Sequence, residues 1–207
     1  MIETIKNAWK IPDLRRKLLF VVFALVIFRF GYAIYVPYVD TEALADVFKQ
    51  YSDTLLGYFN TLSGGGFSQA SIFALSVYPY INSSIIMQLL QVAIPALERM
   101  VKDGGEEGRK KLASITRYVT IALSLLMGWT YYIMLRTSGV LTRTDLWSAI
   151  VIILTFTAGS SFIMWLGEQI NSKGVGNGIS LILFASIVSR GPSAVMSITN
   201  QIGRAHV

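Results

Sequence analysis

Asn82, Ser83, Ser84, Gln88 and Gln91 punctuate a stretch that is otherwise apolar enough to lie in a membrane, running from Leu62 to Ile94. Gly64, Gly65 and Gly66 stand at its start and Pro79 interrupts it. What such amides and hydroxyls offer at membrane depth is hydrogen bonding along a watery path. Each Gly costs roughly 1 kcal/mol against Ala inside a helix, so the triplet weakens helix there by about 3 kcal/mol. Polar or non-helical backbone survives in a bilayer only where protein buries it or where it lines an aqueous cavity. The stretch therefore predicts a broken helix beside such a path, and a channel or transporter rather than an anchor.

Other chemistries have less to stand on. The chain has no cysteine, which excludes disulfides, thiolate nucleophiles and Cys-ligated metals. Its one histidine, His206, lies at the extreme end, so no metal site or Ser–His pair is expected, and no cofactor. The run Gly174-Val-Gly-Asn-Gly178 has the glycines of a phosphate loop. It follows no strand and lacks the Gly-Lys-Ser/Thr ending, so direct nucleotide binding is not expected. A tight turn, with Asn177 as N-cap of the next helix, accounts for it.

The elements that must position these residues follow from composition. Hydrophobic residues make up 53% and charged residues only 14%, with mean hydropathy +0.54, which marks a polytopic membrane protein. Runs near the ~20 residues a bilayer requires predict five spans: Leu18–Val36, a broken one at Ala70–Ile94, Ile115–Leu135, Leu146–Leu166 and Ile179–Ile198. The net charge of +6 is not arranged as a nucleic-acid stripe. Lys6, Lys10, Arg15, Arg16, Lys17, Arg99, Lys102, Arg109, Lys110, Lys111, Arg117 and Lys173 fall on one side of this topology. Lys49, Arg136, Arg143, Arg190 and Arg204 fall on the other. The positive-inside rule then puts the N-terminus in the cytoplasm, with anionic lipid as a contact of the basic segments. The first twenty residues do not read as a cleavable signal. Five spans with opposed termini suggest half of an inverted repeat. The expected division is a cytoplasmic segment 1–17, a five-span unit 18–200 with a cytoplasmic loop 95–114, and a tail 201–207.

Several residues have two readings at this stage. Val77 and Ile81, like Leu183 and Ile187, lie four apart and share a helix face. They would serve as an apolar constriction or as ordinary packing. Arg29, inside the first span, would snorkel or pair. Glu168 and Gln169 would be solvated at the end of the fourth span, and Ile152 would face lipid. Residues 98–111 mix both charges around a Gly pair, as an exposed hairpin-like loop that could dock a cytosolic partner. Trp9, Trp129, Trp147 and Trp165 read as interface anchors.

At this point five strings together acquire specificity: PDLRRKLLF (12–20), SGGGFSQASIFAL (63–75), PYINSSIIMQLL (79–90), EEGRKKLASITRY (106–118) and FIMWLGEQINSKGVGNGISLILFASIV (162–188). Through them the chain resembles the SecY family, channel-forming subunits of the bacterial protein translocase. The resemblance implies an all-α protein of ten spans in two pseudo-symmetric halves around an hourglass pore, this chain matching the N-terminal half. It implies that residues 56–71, with Gly64, Gly65, Gly66 and Phe67, form a displaceable plug, the glycines making a marginal helix with few committed contacts. Val77, Ile81, Leu183 and Ile187 would contribute to the pore ring. Asn82 and Ser83 would lie near the lateral gate, and Arg109, Lys110 and Lys111 on a loop facing cytoplasmic partners.

The implied activity is passive conduction of unfolded secretory chains across the bacterial inner membrane, with release of apolar segments into lipid. SecE and SecG would be fellow subunits, and SecA or the ribosome would supply the energy, so the chain itself would not be an enzyme. Half of an inverted-repeat transporter for a small solute is the alternative. It wants a membrane-buried acidic residue, whereas the acidic residues here fall in loops or at span ends. An intramembrane serine protease would want Gly-x-Ser-x-Gly and a spanning histidine, which the chain lacks. A scaffold role would leave the polar broken helix unexplained.

Overall fold

The computed structural model describes residues 11–51 and 54–189, and among them the regular structure is entirely helical. The helices are α1 (Pro12–Gly31), α2 (Thr41–Gln50), α3 (Leu55–Leu62), α4 (Tyr78–Ala93), α5 (Pro95–Asp103), α6 (Gly105–Thr137), α7 (Leu146–Lys173) and α8 (Gly178–Val188). Trp9, Arg190 and the tail 201–207 lie outside the described residues.

Local chemistry explains where these helices begin. Pro12, Pro79 and Pro95 occupy the first turns of α1, α4 and α5, where a missing N–H costs nothing. Asp40 caps α2, its carboxylate accepting from the backbone N–H groups of Glu42 and Ala43 at 3.0 and 3.1 Å. The Asn177 side chain accepts from the Ser180 N–H at 3.2 Å, the N-cap expected from the glycine-rich turn.

Two helices, α6 and α7, are long and apolar enough to cross a membrane, and α4 with α5 passes as one span bent by 96°. The α1 helix, of 20 residues, begins earlier than expected and ends at Gly31, so Arg29 sits in its last turn. There a cation is favoured by the helix dipole. The expected fifth span, Ile179–Ile198, is described only in its first part, which lies in the 11-residue α8.

The α6 and α7 helices form the frame. Arg117 pairs with Glu168, while Gly128 lies against Ile153 and Phe156, so the two run antiparallel. Two apolar clusters form around this frame. One gathers Leu44, Phe48, Tyr131, Leu135, Ile152 and Phe156. The other gathers Val21, Phe28, Ile163, Leu166, Ile170 and Ile182. Ile152 is thus fully buried rather than lipid-facing.

Between the clusters lies the non-helical segment 63–77. Ala70, Ala74 and Leu75 enter the first cluster, and Phe73 and Val77 the second. The expected second span is therefore helical only from Tyr78, and Pro79 starts that helix instead of breaking one.

The connection 95–114, expected as an exposed hairpin-like loop, has regular structure of its own. It is helix, turn and helix, with Gly104 ending α5 and Gly105 opening α6. A side chain at Gly108 would come within 1.8 Å of the Met100 carbonyl oxygen, so the two helices meet there backbone to backbone.

Candidate functional site

The candidate site is the buried turn segment with the helices that hold it. Its backbone polar groups are satisfied locally, as low-dielectric surroundings demand. Gly65 N–H donates to the Asn60 carbonyl at 2.8 Å, Ser71 N–H to that of Gly66 at 3.0 Å, and Ser76 N–H to that of Phe73 at 2.8 Å. Two further bonds tie the segment to the end of α1: Val36 N–H to the Ala70 carbonyl at 2.8 Å and Ile72 N–H to that of Ile34 at 3.0 Å. On the other side Gly159 of α7 lets the chain approach. A Cβ there would lie 1.9 Å from the Ile72 carbonyl oxygen.

The glycine triplet works differently from the expected marginal helix. The α3 helix ends at Leu62, before the glycines, and Gly64 and Gly65 take φ of +66° and +90° to reverse the chain. Glycine populates that region without steric cost. Ala70 and Ser76 adopt φ of +46° and +49° without that freedom, a cost of about 1–2 kcal/mol each. Contacts are also more committed than expected. Gly64 abuts α8, where an added Cβ would come within 2.8 Å of the Ser186 carbonyl oxygen. Phe67 meets the Tyr131 ring edge-on at 5.0 Å, and the Tyr131 hydroxyl donates to the Phe67 carbonyl.

Of the four candidate ring residues, the structure gathers three in one apolar cluster: Val77, Ile81 and Leu183. Val77 is 1% exposed at the N-cap of α4, and its carbonyl accepts from Ile81 N–H. Ile81 and Leu183 are half-buried, and Ile187, 42% exposed, stands outside the cluster.

The expected gate pair divides. Asn82 is exposed on α4, whereas Ser83 is fully buried and hydrogen-bonded to Thr120 of α6. Neighbouring residues on a helix point about 100° apart, so they serve different surfaces.

Along α4 a groove of about 190 Å³ mixes polar lining, from Tyr80, Ser84, Gln88, Arg109 and Glu168, with apolar lining that includes Met87 and Leu112. Glu168 is not merely solvated: it accepts from Arg117 Nε at 2.8 Å. Lys110 and Lys111 pair along α6 with Glu106 and Glu107 at 4.0 and 3.3 Å, and Arg109 is exposed.

Sequence reasoning missed Tyr131 and Asn60. Asn60 accepts from Ser68 N–H at 3.0 Å and so closes the glycine turn. An amide within the apolar α3 was a signal that could have found it. Tyr131 lies among apolar and aromatic neighbours with no spacing to distinguish it.

Apolar helices packed around a buried, non-helical wedge define an all-helical fold of polytopic membrane character. Two solved structures share the fold, each with TM-score 0.61 and 18% identity over 90% of this chain and 41% of theirs. One is described as a protein conducting channel, the other as Sec61 in the canine ribosome-channel complex from the endoplasmic reticulum. The SecY family model matches residues 71–206, well over half of the chain, and the chain belongs to the SecY family. Relatives described as protein translocase subunit SecY come from Pseudomonas aeruginosa (43% identical, 89% of this chain, 42% of the relative) and Bacillus subtilis (43%, 94% and 45%). A third comes from Thermotoga maritima (40%, 94% and 47%). The chain thus spans about half the length of the curated relatives it matches.

Proposed function

We propose that this chain contributes one half of a protein-conducting channel, passing unfolded secretory polypeptides across the bacterial inner membrane and releasing apolar segments into lipid. The observation that carries the reading is the buried wedge 63–77, a compact non-helical segment held between spanning helices beside the ring candidates. A conducting path needs a removable seal and a narrow apolar collar. In this reading α3 with residues 63–71 is the seal. Ile81, Leu183 and Ile187 offer side chains to the collar, and Val77 lies behind them until the seal moves. Asn82 serves the lateral gate, and Ser83 fastens α4 to α6 behind it.

The N-terminus is cytoplasmic in this reading. The α5–α6 hairpin, with Arg109, Lys110 and Lys111, then faces SecA or the ribosome as well as anionic lipid headgroups, and SecE and SecG pack elsewhere on the assembled channel. The chain performs no chemistry of its own. The transporter alternative asks for a buried acid, and among the described residues no Asp or Glu is buried.

Crosslinking tests the proposal. Single cysteines replace Ile81, Leu183 or Leu154, which is 54% exposed on α7. The chain is co-expressed with the portion of a SecY relative it does not cover, and a stalled secretory chain carries the second cysteine. Crosslinks from positions 81 and 183 but not 154 are expected. Their absence in an assembled, targeted channel would remove the conduit.

A further inference from the structure

The hydrogen bonds of residues 63–69 are mostly internal. Ser63 Oγ donates to the Asn60 carbonyl at 3.0 Å, Ser68 Oγ to the Gly65 carbonyl at 3.0 Å, and Ser68 N–H to the Asn60 side chain. Their side-chain hydrogen bond to the frame comes from Tyr131, 4% exposed on α6, whose hydroxyl donates to the Phe67 carbonyl and whose ring takes Phe67 edge-on. Phe156 of α7 also meets that ring, in an edge contact at 4.9 Å, so the tyrosine is packed against α7 as well.

Little else grips Phe67. It is half-buried on the wall of an apolar cavity of about 290 Å³, shared with Leu56, Leu75, Met127, Tyr131 and Met134. Backbone residues of positive φ bound the piece: Gly64 and Gly65 at one end, Ala70 at the other. Beyond Ala70 the chain is tied to α1 by the paired backbone bonds at Val36 and Ile72. The arrangement is a short segment between two sharp turns, with free volume on one side, close backbone packing of Gly64 on α8 and of Gly66 on the Tyr32 ring, and a side-chain hydrogen bond from the rigid helix α6.

We infer that Tyr131 is a latch, a positioning residue whose hydrogen bond and ring contact hold residues 63–69 against α6 and so set how readily that segment leaves. The inference rests on the plug reading for its consequence in transport, but the latch itself is a local property. Removing the hydroxyl leaves the Phe67 carbonyl with only the Ala70 N–H, at 3.2 Å, in a largely apolar site, so the segment opens more often while the helices keep their packing.

The chain has no native cysteine, so one introduced thiol reports one place. Ser63→Cys, at a fully buried and nearly isosteric site, reports opening of the segment, and Ala24→Cys, 1% exposed on α1, reports general loosening. Both are made in the chain co-expressed with the uncovered portion of a SecY relative, reconstituted in proteoliposomes and treated with a water-soluble maleimide. Tyr131→Phe is expected to speed labelling at position 63 about five- to tenfold, the change one hydrogen bond carries, and to leave position 24 unchanged. Phe67→Leu keeps the carbonyl, drops the ring and is expected to act in the same direction. Unchanged labelling at 63 in both variants, or an equal rise at 24, would overturn the latch. Ion conductance of the same vesicles separates the two ideas. Faster labelling with unchanged conductance keeps the latch and removes the plug role, and unchanged labelling removes the latch whatever the conductance does.

Discussion

Ser83 and Thr120 meet at 2.5 Å between α4 and α6, and each hydroxyl also lies within hydrogen-bond reach of a carbonyl on its own helix, Tyr80 or Thr116. Only one of the two hydroxyls can donate in their mutual bond, so a donor is shared between a local and an interhelical acceptor. In an apolar interior that bond fixes the register of the two helices, because sliding by a turn would part both hydroxyls. Ser83→Ala and Thr120→Val are each expected to cost about 0.5–1.5 kcal/mol. The double variant should lose less than their sum, since both remove one contact. Thermal unfolding of the four proteins in detergent checks this. Additive losses would mean the hydroxyls act separately, each with its own helix.

At the scale of elements, the wedge 63–77 decides the design. A helix satisfies its own backbone and can sit anywhere in a bilayer, whereas a turn must be enclosed. Here α1, α6, α7 and α8 supply the enclosure, and one glycine makes it close. Gly159→Ala would place a methyl 1.9 Å from the Ile72 carbonyl oxygen. Backbone on both sides leaves little room to yield, so the wedge must shift. An expected loss of about 1–3 kcal/mol follows, with the wedge displaced from α7. Protease cutting between Gly64 and Ser76 should quicken in this variant while cleavage of the α5–α6 hairpin stays constant. Equal quickening at both places would point to loosening of the whole molecule.

For the whole molecule, the surface is the telling feature. Large apolar side chains stand exposed on every long helix, among them Phe23 and Phe30 of α1, Leu89 and Val92 of α4, Leu126 of α6, Leu154 of α7 and Phe184 of α8. Lipid can cover such side chains, but Ile187 and Asn82 belong to the faces assigned to the conduit and gate, where lipid tails are poor partners for an amide. Purified alone in detergent, the chain is therefore expected to be protease-sensitive and polydisperse. Co-expression with the uncovered portion of a relative should yield a protected particle. A monodisperse, resistant particle from the chain alone would show that these faces need no protein partner.

Sequence by itself determined the all-helical membrane character, the start of α7 at Leu146, the N-cap at Asn177 and the special nature of residues 63–94. Each follows from a local rule: the run length a bilayer demands, the capping geometry of a short amide, the conformational tolerance of glycine. Tertiary structure alone decided which way individual residues act. Pro79 begins a helix because the preceding segment found its hydrogen bonds in turns. Residues 98–111 fold as a helical hairpin whose arms close together because Gly108 lets α5 and α6 touch, and Ile152 is buried because α7 turns that side toward the first apolar cluster. Ser83 and Asn82 are adjacent in the chain and opposite in role for the same reason. Periodicity says which residues share a face, and only the packed neighbours say what that face meets.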